Sequence, residues 1–61
     1  MAKFELGQWV VDKTKGLSLE ICGIITESIG PLYVVAEIGC TNYYITEEGN
    51  LMEIDKYYDW G

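Results

Sequence analysis

Residues 19–26 read LEICGIIT, a stretch in which apolar and β-branched residues surround a single interior glycine, Gly23. Such a run is typical of a β-strand, and a glycine inside a strand often marks a β-bulge or a sharp bend. A small barrel needs a bend of this kind to close. We therefore predict a curved antiparallel sheet with a bulge at Gly23, where the faces of the strand would be exchanged.

Further short apolar runs lie on both sides of this stretch, separated by turn residues and without helical spacing. They predict strands at 8–12, 32–38, 42–46 and 51–55. In residues 32–38 a fully apolar set at the even positions alternates with a mixed set at the odd positions, a pattern of antiparallel sheets. The residues expected in the core are Val10, Ile21, Ile24, Val34, Ala36, Ile45 and Leu51.

The pattern of strands and turns resembles the SH3-like barrel superfamily of small bacterial and phage proteins. The likeness covers about residues 4–55 and rests on LGQWVV at 6–11, GII at 23–25, YVV at 33–35 and YYITEEGNL at 43–51. It implies one all-β domain over residues 1–61, with five antiparallel strands in a small SH3-like barrel and an aromatic tail at 56–61. This superfamily serves many unrelated functions, so the resemblance implies a fold and no activity.

The charge of the chain excludes several partners. Ten acidic residues face four lysines and no arginine, for a net charge of −6 over 61 residues. Because phosphate binding depends on arginine and lysine, we predict no binding to nucleic acid, and equally none to anionic membranes. The apolar runs are too short to span a membrane, and the first residues do not form a secretory signal. These observations predict a cytoplasmic protein.

Catalytic and metal-binding groups are scarce. The chain has no histidine, the usual general base near neutral pH, so we predict no enzymatic activity and no cofactor. Cys22 and Cys40 do not form a Cys-x-x-Cys pair, and zinc normally takes four ligands. We expect two buried free thiols, with neither a bound metal nor a disulfide.

Aromatic and acidic residues are concentrated in the last third of the chain, and they are the best candidates for a partner surface. Exposed tyrosine and tryptophan are frequent at binding hot spots, and carboxylates orient a basic partner. The alternative is that the aromatic tail packs over the barrel. The predicted partner-binding residues are Glu47, Glu48, Tyr57, Tyr58 and Trp60.

These features favour a non-catalytic protein–protein interaction module, such as an accessory or regulatory protein of bacterial or phage origin. Two alternatives stay open from the sequence. One is an acidic inhibitor that occupies the surface of a nucleic-acid-binding enzyme. The other is a structural subunit that acts as a homodimer or larger homo-oligomer, because a domain this small buries little surface on its own.

Overall fold

The computed structural model describes residues 2–26 and 30–58, and strands dominate both ranges. The predicted all-β class is confirmed, and each observed strand lies within two residues of its predicted bounds. Beyond the strands there are a 3₁₀ turn at Glu48–Asn50 and a single-turn helix, α1, at Ile54–Tyr57. In the described ranges no helix is long and apolar enough to cross a membrane. The strands are β1 Trp9–Asp12, β2 Leu17–Ile25, β3 Leu32–Glu37, β4 Tyr43–Glu47 and β5 Leu51–Glu53.

The five strands form one antiparallel sheet in the order β4-β3-β2-β1-β5. The first four strands pair in chain order, and β5 returns to pair with β1, with Val10 opposite Glu53 and Asp12 opposite Leu51. The predicted closed barrel is wrong, because β4 and β5 lie at opposite ends of the sheet and do not pair. β5 has only three residues, and all three pair with β1.

The predicted bulge in β2 is confirmed. Ile21 lies opposite Val35, whereas Gly23 lies opposite Val34, so Cys22 is an extra residue in β2. A Cβ atom at Gly23 would come within 3.3 Å of the Val34 side chain. The strand therefore bends at a position where a larger residue would press on its neighbour.

One face of the sheet, which we call the inner face, carries the core. The curvature of the sheet is visible in the hydrogen bond that the Tyr44 hydroxyl on β4 donates to Asp12 Oδ2 on β1, at 2.8 Å. Because β3 and β2 lie between these strands, the two groups meet only if the sheet curls. The buried core cluster consists of Phe4, Val10, Leu19, Ile21, Tyr33, Val35 and Leu51.

The predicted core is correct in part. Four of its residues are buried, and Ile24 is half-buried against the core cluster. The prediction is wrong for Val34, which is half-buried on the opposite face, and for Ile45, which is 57% exposed. The four buried predictions are Val10, Ile21, Ala36 and Leu51.

The error has its origin in β3, where Tyr33 and Val35 occupy the inner face and are fully buried. A buried tyrosine needs a partner for its hydroxyl group. The Tyr33 hydroxyl donates to Glu48 Oε2 at 2.6 Å and accepts from the backbone N–H groups of Lys3 and Phe4, at 2.9 and 3.2 Å. These three bonds allow the ring, rather than Val34, to fill the core.

Candidate protein interaction surface

The sheet face opposite the core, which we call the outer face, is built from rows of side chains that cross the strands. The pairing register aligns one row from β1 to β4, and a second row follows two residues further along β4. The first row consists of Trp9, Glu20, Ala36 and Tyr43. The second consists of Gly23, Val34 and Ile45.

These two rows bring large exposed apolar side chains to one face. Trp9 is 54% exposed, Tyr43 is 61% exposed and Ile45 is 57% exposed. Between them, Ala36 is buried and Val34 is half-buried. We call these five residues the outer patch. A single exposed apolar residue is ordinary, whereas several exposed apolar residues on one face make that face a candidate interaction surface.

The charged residues of the outer face are acidic. Glu20 lies in the first row between Trp9 and Ala36, and Glu47 follows Ile45 two residues along β4 on the same face. Both glutamates are exposed. All four lysines of the chain lie outside the strands, at Lys3, Lys13, Lys15 and Lys56. The charged strand residues that share the outer face with the patch, Glu20 and Glu47, are therefore both acidic.

The predicted partner residues Glu47 and Glu48 have different roles. Glu47 is exposed at the end of β4. Glu48 accepts hydrogen bonds from the Tyr33 hydroxyl and from the Lys3 N–H at 3.0 Å, and these bonds lower the pKa of its carboxyl group. Both residues, with Leu32, line a shallow cleft of about 300 Å³. Glu47 is available to a partner, whereas the Glu48 carboxylate joins the N-terminal segment to the core.

The predicted tail residues Tyr57 and Tyr58 lie at the end of α1. Tyr57 and Tyr58 pack edge to face, with ring centroids 5.0 Å apart, and are 39% and 40% exposed. The helix α1 packs against β1 and β5, and Val11 on β1 is completely buried. Trp60 lies outside the described residues. The tail thus covers part of the sheet and still exposes two rings, and its role in binding stays a prediction.

Sequence reasoning missed Trp9, Tyr43 and Ile45 as candidate binding residues. Ile45 was assigned to the core, and the two aromatic residues were absent from the predicted partner surface. A signal was present, because residues 43–45 place large apolar side chains on both faces of a short strand. Antiparallel sheets usually keep one face polar. Large apolar side chains on both faces of β4 therefore indicate a second packing surface in addition to the core.

A buried polar cluster at the end of β1 holds the β1–β2 turn. Asp12 is 2% exposed and accepts from the Tyr44 hydroxyl, from the hydroxyl and N–H of Thr14, and from the N–H of Lys15. Burial alone raises the pKa of Asp12, but these hydrogen bonds outweigh it and the pKa is lowered. Burial, and then the bond to Asp12, raise the pKa of Tyr44 to about 12. The Asp12 carboxylate is satisfied within the fold.

The two cysteines do not occupy the core. Cys22 and Cys40 are free and exposed, so the prediction of buried thiols is wrong. Cys22 is the extra residue of the bulge, and Cys40 lies in the turn after β3, where its N–H bonds to the Glu37 carbonyl at 2.8 Å. Within residues 2–26 and 30–58, no three metal-ligating side chains come together.

The chain matches no known protein family, and no curated protein or solved structure is significantly similar to it. The outer patch and its surroundings are therefore the basis on which a function is assigned.

Proposed function

We propose that this chain is a non-catalytic protein-interaction module, and that its outer patch binds a partner protein with a basic surface. The observation that carries the proposal is the grouping of Trp9, Tyr43 and Ile45, each more than half exposed, on one face of the sheet. Aromatic residues contribute most to binding free energy when a partner excludes water from them. In the isolated chain the same side chains contribute little to stability.

The charge distribution favours a basic partner. Glu20 and Glu47 lie on the outer face with the patch, and the whole chain carries a charge of −6. Complementary charge speeds encounter and selects among partners more than it adds affinity. An inhibitor that covers the basic surface of a nucleic-acid-binding enzyme is one protein of this class.

The absence of a catalytic role is also part of the proposal. The titratable groups with shifted pKa values are Asp12, Tyr33, Tyr44 and Glu48. Each of them is hydrogen-bonded to another part of the fold. Structural hydrogen-bond networks also shift pKa values, so these shifts have an explanation within the fold. We place this module in the cytoplasm. We also place it among the SH3-like folds, and the return of β5 to β1 after a 3₁₀ turn supports this second assignment.

The proposal is tested by affinity capture from a bacterial lysate with the immobilised wild type and three variants, Trp9→Ser, Tyr43→Ser and Ile45→Ser. The matched control is Leu6→Ser, which removes a side chain that is 67% exposed in the turn before β1. A protein retained by the wild type and the control, and lost with the patch variants, supports the proposal. Its retention should also weaken as salt is raised.

Two results contradict the proposal. A partner that all three patch variants retain would remove the outer patch from consideration. A partner lost only with Tyr57→Ser and Tyr58→Ser would place binding on the tail instead. Surface substitutions usually change stability by less than about 0.5 kcal/mol, so we expect the variants and the wild type to have equal melting temperatures. Equal melting temperatures would show that a variant loses its partner without unfolding.

A further inference from the structure

The free edge of β4 suggests how a partner engages the outer patch. β4 pairs with β3 along its whole length, from Tyr43 opposite Ala36 to Glu47 opposite Leu32. It is the end strand of the sheet, so within the described ranges no strand lies along its second edge. The backbone N–H and C=O groups of such an edge form a template for another strand.

We infer that the partner adds a strand to β4, and that this strand is an extended segment whose outer-face side chains are apolar beside Tyr43 and Ile45 and basic, lysine or arginine, beside Glu47. The inference rests on the proposed function, since it assigns the partner to the same surface. It names the element that binds, the conformation of the ligand and its charge.

The sequence of β4 supports strand addition because the strand lacks the usual protection of an edge. Natural edges carry lysine, proline or a bulge, or are very short. β4 has five residues, YYITE, and its pairing with β3 is regular throughout. Its one charged residue, Glu47, stands at the end of the strand, so the edge from Tyr43 to Thr46 presents no charge that would repel a neighbour.

The side chains of β4 define the pattern of the added strand. In a pleated sheet, alternate residues of neighbouring strands share a face. A strand beside β4 would therefore place every second side chain on the outer face, next to Tyr43 and Ile45. Cross-strand neighbours of this kind stabilise sheets when both are aromatic or β-branched. Apolar residues at the alternate positions of the added strand that lie beside Tyr43 and Ile45 match this requirement.

Charge decides between a basic segment and a second copy of the chain. Glu47 is on β4 itself and Glu20 is on the same face, while no lysine lies on any strand. Pairing of two β4 strands would bring together two chains that each carry −6. Like charges at a contact oppose association, and opposite charges at the rim favour it. A lysine or arginine on the outer face of the added strand, in the same alternate set as the apolar residues, would instead lie beside Glu47.

The inference is tested with three synthetic peptides of nine residues, each acetylated and amidated. The first has valine at the first three alternate positions, lysine at the last two alternate positions, and threonine at every position between. The second has glutamate in place of every lysine, and the third keeps the first sequence but carries a methyl group on every backbone nitrogen. We expect only the first to bind, with NMR shift changes in β4 and slower hydrogen exchange of its amides. The amides of β5 serve as the internal reference.

A matched pair of variants tests the position of the site. Ile45→Lys places an edge-protecting charge on β4, whereas Leu6→Lys makes the same change of charge at an equally exposed apolar residue outside the strands. We expect Ile45→Lys to weaken peptide binding by at least about tenfold and Leu6→Lys by less than about threefold, because a lysine on an edge strand opposes strand addition.

Three outcomes would overturn the inference. One is that the methylated or the glutamate peptide binds as tightly as the first peptide. Another is that hydrogen exchange slows in amides outside β4. The last is that the wild type sediments as a dimer that Ile45→Lys dissociates. The last outcome would identify a second copy as the occupant. If the first peptide fails to bind while lysate capture still depends on the outer patch, only the inference of strand addition is contradicted. If both fail, the proposed function falls with it.

Discussion

The two edges of the sheet differ in length and in their surroundings. β5 has three residues, lies between the 3₁₀ turn and α1, and directs Leu51 into the core at 3% exposure. β4 has five residues and exposes Tyr43 and Ile45 on the outer face. α1 packs against β5 and β1, not along β4. The chain therefore protects one edge by the means that natural sheets use and leaves the other in a form that accepts a neighbour.

The sharpest test of this contrast compares apolar truncations at the two edges. Leu51→Ala should lower the free energy of unfolding by about 2–5 kcal/mol, because it removes a buried side chain from the core. Ile45→Ala should change it by less than about 0.5 kcal/mol, because the side chain is mostly exposed. Urea denaturation measures both. Equal losses would mean that β4 is a structural edge like β5.

A second test concerns the attachment of β4 through its inner face. Tyr44→Phe removes the hydrogen bond to Asp12, an ionised acceptor that is buried. We expect a loss of about 1.5–3 kcal/mol in the free energy of unfolding. The control Tyr43→Phe alters the same residue type one position away, at 61% exposure, and should have no measurable effect. If the two variants unfold alike, the bond from Tyr44 to Asp12 does not anchor β4.

The same bond predicts a loss of stability in alkali. The folded state raises the pKa of Tyr44 from 10.0 to about 12, so the folded chain holds this proton more tightly than the unfolded chain does. The resulting stabilisation is complete below pH 10.0 and is lost as the pH rises through about 12. Denaturation midpoints should fall more steeply over this window in the wild type than in Tyr44→Phe. Parallel curves would contradict the assignment.

The smallest expected change in the free energy of unfolding comes from removing the contact between Lys15 and β4. Its Nζ atom lies 4.0 Å from the centroid of the Tyr44 ring, a cation–π contact that contributes about 0.5–1 kcal/mol at an exposed site. Lys15→Gln should lower the free energy of unfolding by that amount. Lys13→Gln makes the same change of charge in the same turn and should be neutral. A similar loss in both variants would indicate a general charge effect.

Local pattern predicted the strands and the bulge because both depend on nearby residues. The interior glycine in LEICGIIT predicted the register shift that is observed between Ile21 and Gly23. The faces of β3 could not be predicted in this way, since residues 32–36 are apolar on both sides of the strand. Tyr33 fills the core because Lys3, Phe4 and Glu48 satisfy its hydroxyl group. Those contacts join segments that are far apart in the sequence, which periodicity does not report.

The candidate site was predicted less well than the fold. Glu47 lies on the outer face as an exposed carboxylate, but Glu48 is engaged by Tyr33 and Lys3. Trp9 and Tyr43 are not among the predicted partner-binding residues. Both lie in one row across the outer face, and that register depends on long-range pairing that a single sequence does not specify.

The return of β5 to β1 has a consequence for the speed of folding. The other three pairings join consecutive strands, whereas this one brings residue 10 to residue 53. Distant contacts carry a larger loop-closure entropy and slow the search for the native state. A circular permutant that begins at β5 and joins residue 61 to residue 1 through a short linker would bring the two strands closer together in the sequence. We expect stopped-flow experiments to show faster refolding of the permutant, with the outer patch unchanged, and equal rates would mean that another step limits folding.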